Sequence, residues 1–164
     1  MRKRRLAVLA IGATIALSAG LLAGGGAAAA DEGGRPFHVA LDGLNEVPPA
    51  TDGVHTGSVS LTLNQGLGQV CWQFGPITLP PGESLPFAGH IHRAPAGVNG
   101  PILVPLFPVP EAGVTAPTSY PTATTCVPAN EAIIKEIRHD PEGFYVNLHN
   151  STHPGGAMRG QLAK

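Results

Sequence analysis

The sequence predicts a mainly β protein: an antiparallel Greek-key sandwich or barrel with one short helix near residues 130–138. Three observations carry this expectation. Apolar and polar residues alternate with period two in several short runs. All 17 prolines and 17 of the 22 glycines fall after residue 30, which cuts the chain into pieces too short for long helices. Only one segment has helical spacing.

In chain order, Phe37, Val39 and Leu41 alternate with His38 and Ala40. Val59, Leu61 and Leu63 alternate with Ser58, Ser60 and Thr62, the pattern of a half-buried strand. Gly66 to Gly68 form a turn, and Val70, Trp72 and Phe74 point one way on the next strand, giving an antiparallel hairpin. Phe87 to His92 and Ile102 to Phe107 are the next strands, joined by the Gly- and Pro-rich segment Ala94 to Pro101. Pro105 makes the second of these an edge or bulged strand. Pro108 to Pro128 reads as a long loop. Asn130 caps the helix, Glu131 favours its N-terminal dipole, and Ile133, Ile134 and Ile137 form its apolar stripe. Asp140-Pro141 stops it. Strands Phe144 to His149 and Ala157 to Leu162 follow, separated by the Pro154-Gly155-Gly156 turn.

Met1 to Ala30 reads as a secretory signal. Arg2 to Arg5 form a basic start, Leu6 to Leu22 an apolar stretch, and Ala28 to Ala30 an A-x-A-like cleavage site before Asp31. Residues 31–36 then form a short flexible linker and 37–164 one domain without internal repeats. No other apolar run approaches the ~20 residues of a spanning helix, so the mature protein is expected to be exported, with no stable membrane span. Six Lys and Arg remain against eleven acids after cleavage. A mildly acidic chain with scattered bases excludes nucleic acid as a partner. Cys71 and Cys126, the only cysteines, predict one structural disulfide in an oxidising compartment. A two-cysteine metal site lacks C-x-x-C spacing.

The chemistry-bearing residues are histidines. His90 and His92 stand i, i+2 on one strand, so their side chains leave the same face about 6.5 Å apart at Cα. His149 shares a face with Tyr145 and Asn147. If the two strands are neighbours, three imidazoles converge in a set suited to Cu or Zn. His153 lies in the following turn and offers a fourth ligand or a gate. The other reading is a polar seam, each ring hydrogen-bonded to backbone, Asn147 or Glu46. His38, His55 and His139 are isolated and assigned to the surface. Gly89 and Gly160 mark a bulge, a close backbone approach, or room over the histidine face. No serine has a G-x-S-x-G setting, and no phosphate loop or nucleotide fingerprint is present.

The fragments Asn45-Glu46-Val47-Pro48-Pro49, Ala88-Gly89-His90-Ile91-His92, Asn99-Gly100-Pro101, Tyr145-Val146-Asn147-Leu148-His149 and Arg159-Gly160-Gln161-Leu162 occur in that order. Together they resemble the CHRD domain, the module named after chordin, over about residues 37 to 162. The resemblance implies a secreted, single-domain member with an immunoglobulin- or superoxide-dismutase-like β fold. It also implies that Glu46, Asn99, Gly100, Asn147 and Arg159 are structural motif residues, with Glu46 accepting hydrogen bonds from backbone or Arg159. The His-x-His strand is similar to the copper-ligand strand of copper-zinc superoxide dismutases, although the rest of that pattern is missing. The leading expectation is therefore a non-catalytic extracellular binding or structural module, whose partner is an extracellular protein or envelope component. The alternative is a copper or zinc protein using His90, His92 and His149, for metal capture or redox chemistry. An enzyme acting on an extracellular polymer has no residue set behind it.

Overall fold

A computed structural model of the chain describes residues 34–50, 54–107 and 122–164. The expected signal, most of the expected linker and residues 108–121 of the expected long loop lie outside these residues. Eight strands and one α-helix are found within them. They are β1 (Arg35–Asp42), β2 (Thr56–Asn64), β3 (Gln69–Phe74), β4 (Ala88–Arg93), β5 (Ile102–Phe107), β6 (Thr125–Pro128), α1 (Glu131–His139), β7 (Phe144–His149) and β8 (Met158–Gln161). Short 3-10 turns at Gly43–Asn45 and Pro141–Gly143 flank β1 and β7. Arg35 and Pro36, expected in the linker, already pair with Leu63 and Thr62.

All strand pairs are antiparallel, in the order β5-β4-β7-β8-β1-β2-β3-β6. The edge strands β5 and β6 come back within contact of one another, so the sheet nearly closes into a barrel. The chain runs β1-β2-β3 as a meander, then crosses from β3 to β4 and, through α1, from β6 to β7. These long crossovers between non-neighbouring strands give it the expected Greek-key character.

The alternating residues of β1, β2 and β3 do what their pattern predicts. Phe37, Val39, Leu41, Val59, Leu61, Leu63, Val70, Trp72 and Phe74 are all buried in one core. Trp72, Phe74 and Phe107 cluster with ring centroids 5.0–5.8 Å apart. Asn130 caps α1 by accepting from the Ala132 backbone N–H at 2.8 Å, and Ile134 and Ile137 plug into the core with no exposure.

The segment expected to be loop up to Pro128 contains β6. Its four residues pair with β3, Cys126 directly opposite Cys71, and the disulfide between them staples this edge. A strand of four residues that ends on proline and has exposed neighbours leaves no alternation to detect. Gly89 and Gly160 face the core rather than the histidines. A Cβ on Gly89 would meet Phe107 at 2.6 Å, and one on Gly160 the Ala40 carbonyl at 2.2 Å. Both permit close packing rather than space over the histidine face, and Gly89 lies at a register shift between β4 and β5.

Candidate functional site

Strands β4 and β7 depart from the half-buried pattern. Every residue of β7 and all of β4 except Arg93 are buried, on both faces. One face is apolar: Ile91, Val146 and Leu148 join the core. The other carries His90, His92, Tyr145, Asn147 and His149, and β8 adds Arg159. Cross-strand register sets them side by side, with His90 opposite Asn147, His92 opposite Tyr145 and Asn147 opposite Arg159. Residues 43–50, 94–101 and 150–156 supply the contacts that roof this face. Burying so many polar side chains costs stability unless each has a partner.

The three histidines predicted to converge do so. His90, His92 and His149 are 5%, 7% and 9% exposed, and each offers a ring nitrogen within 4.8 Å of the others. His92 Nδ1 donates to the Gly100 carbonyl at 2.9 Å, and His149 Nδ1 donates to the Pro154 carbonyl at 3.0 Å. A carbonyl only accepts, so both neutral rings carry their proton on Nδ1 and their lone pair on Nε2. His149 Nε2 lies 3.1 Å from His90 Nδ1, which donates to it, and 3.1 Å from Asn147 Oδ1, an acceptor that adds no hydrogen bond to this lone pair. His92 Nε2 is buried and completes no hydrogen bond among the described residues, although the Asn147 side chain lies close enough to favour the protonated ring.

Burial holds all three rings neutral. It pushes His90 down to about 4, helped by repulsion from His149 and His92. His92 and His149 are also lowered, by burial first and by the positive charge of Arg159, against the pull of their carbonyl bonds.

Behind the histidines, the structural motif residues form one network. The His92 ring stacks on Tyr145, with centroids 4.7 Å apart and planes 4° from parallel. The Arg159 guanidinium sits over Tyr145 at 3.9 Å. Arg159 donates to Glu46 at 3.2 Å, to the Val98 carbonyl at 3.1 Å and to Asn99 Oδ1. Asn99 in turn donates to the Val47 carbonyl at 2.8 Å. Burial pushes the Glu46 carboxyl above its ordinary range, and the adjacent Arg159 pulls back only part of that rise. Glu46 thus accepts from Arg159 as the family resemblance implies.

His153 and His55 stand elsewhere. His55, assigned to the surface, is fully buried. It bonds Glu83 at 2.9 Å, as does His153 at 3.3 Å, and the two rings meet edge to face at 4.6 Å. His153 therefore joins a second cluster with His55 and Glu83. Sequence reasoning missed Glu83 altogether. Its only signal is an acid isolated among Pro80, Pro81, Gly82 and Pro86.

A family model described as the CHRD domain matches residues 37–162. None of the curated proteins and none of the solved structures matches the chain. Among the described residues no helix is long and apolar enough to cross a membrane.

Proposed function

The chain belongs to the CHRD-domain family, and on that footing we propose that it is an exported protein that binds one copper or zinc ion through His90, His92 and His149. One observation carries this reading. His92 Nε2 is a buried lone pair with no completed hydrogen bond among the described residues, in a cluster with two other imidazoles. An unmet buried acceptor costs about 1–3 kcal/mol, and a metal ion satisfies it. The Gly100 and Pro154 carbonyls act as the outer partners that metal-binding imidazoles use to fix tautomer and ring orientation. Three neutral nitrogen donors suit zinc and copper alike.

The surrounding residues have defined tasks. Tyr145 supports the flat face of His92, and Arg159, held by Glu46 and Asn99, supports Tyr145. Bound copper supplies one-electron chemistry and bound zinc a Lewis acid; this chain's residues hold the rings in place and exclude water. The basic, apolar and small-residue runs of residues 1–30 support export, as does the Cys71–Cys126 disulfide.

The test is elemental analysis of protein purified through its native export route without chelators, beside a His90→Ala, His92→Ala variant. The expected result is that the variant holds one near-stoichiometric ion fewer than wild type. No ion at these histidines, with equal folding stability in both proteins, would overturn the proposal. The chain would then be a binding module acting through its loops.

A further inference from the structure

We infer that His55, Glu83 and His153 form a second divalent-cation site, independent of the first and of the zinc class. The three residues come from distant parts of the chain. His55 precedes β2, Glu83 lies between β3 and β4, and His153 sits in the β7–β8 turn. One ligand atom from each lies within 4.8 Å of the other two. Two of its separations come close to those of ligands on a common ion. His55 Nε2 stands 2.9 Å from Glu83 Oε2, and His153 Nε2 stands 3.3 Å from Glu83 Oε1. Ligands at about 2.1 Å from one ion, at angles between octahedral and tetrahedral, are themselves about 3.0–3.4 Å apart.

The charge and access also suit a cation. Glu83 accepts hydrogen bonds from His55 at 2.9 Å and from Asn150 at 2.6 Å, as a carboxylate does. The set offers two imidazoles and one carboxylate, a donor set that zinc accepts. His55 is closed off, whereas the side chains of Glu83 and His153 keep 10% and 21% exposure. The open side provides entry and room for a further ligand.

The frame is built independently of any ion. Asn150 donates to Glu83 Oε2 at 2.6 Å and accepts from the His153 backbone N–H at 2.7 Å. Ser84 and Ser151 join the same two segments at 2.7 Å. A cation here ties the β3–β4 loop to the turn whose Pro154 carbonyl orients His149.

The experiment is zinc stoichiometry of the full chain after dialysis against zinc, for wild type, His153→Ala, Glu83→Gln and the His90→Ala, His92→Ala double variant. The expected counts are two ions in wild type and one in each variant. An ion lost from the double variant but unaffected by His153→Ala or Glu83→Gln overturns this site and leaves the first standing. The reverse pattern overturns the first site and keeps this one. A wild-type measurement covers the case in which the variants fail to fold. Zinc should slow diethyl pyrocarbonate modification of His153, mapped by mass spectrometry, at least tenfold. Unchanged modification at saturating zinc also overturns the site.

Discussion

Acidification of the metal-free protein should destabilise it, and His90 carries a calculable share of the effect. Its folded-state value is about 4 against 6.5 for the free side chain. Between those values the unfolded chain takes up a proton at His90 that the folded chain refuses. Stability therefore falls as pH drops through this window and is fully retained above it. Integrating the binding difference from pH 7 to pH 5 gives a loss of about 2 kcal/mol from this residue alone. His92 and His149 are shifted in the same direction and add to it. Glu46 works with the opposite sign, since its raised value favours the folded state as pH falls. Urea unfolding with a chelator present, at several pH values, isolates the His90 share when wild type is compared with His90→Gln. The Glu46 contribution is common to both proteins and cancels. Wild type should lose about 2 kcal/mol more than the variant over this range, or roughly 6–8 °C in Tm for a domain of this size. Parallel stability curves for the two proteins would refute the claim that His90 is held neutral by burial.

Arg159→Met should cost about 3–5 kcal/mol in denaturant unfolding, because it strands the buried Glu46 carboxylate; adding Glu46→Gln should recover part of that loss. A double Cys71→Ser, Cys126→Ser variant should lose about 4 kcal/mol from the chain-entropy term of its 55-residue separation. Its metal content should stay unchanged, as measured by elemental analysis. Zinc release on acidification should begin well below pH 6, where ordinary imidazoles protonate, because all three rings are shifted down. Equilibrium dialysis across pH 4–7 checks this, and half-release at or above pH 6 would contradict it.

The parts of this fold legible in the sequence are those where one face is apolar and the other wet. β1, β2 and β3 alternate cleanly because their outer faces meet solvent. The same periodicity placed His90, His92 and His149 on one face, since side chains two apart on a strand must share it. Their actual convergence depends on β4 lying beside β7, a pairing between segments some 55 residues apart that no local pattern encodes. β6 was hidden because its partner strand and a disulfide hold it, rather than an apolar face of its own. His55 was misplaced for a related reason. Between Val54 and Thr56 it has the look of a loop residue, while the carboxylate that accompanies it inside comes from Glu83, 28 residues later. Burial of a polar side chain is a property of the pair, and the sequence displays only one member at a time.

The proposed function turns on whether a metal ion sits among His90, His92 and His149. The most direct measurement is an anomalous difference map from crystals of protein loaded with copper or zinc, recorded at the edge of the metal used. A metal site predicts a peak about 2.0–2.1 Å from His92 Nε2, His149 Nε2 and a ring nitrogen of His90. A map with no peak there, and a water molecule or the Asn147 amide bonded to His92 Nε2 instead, would contradict it.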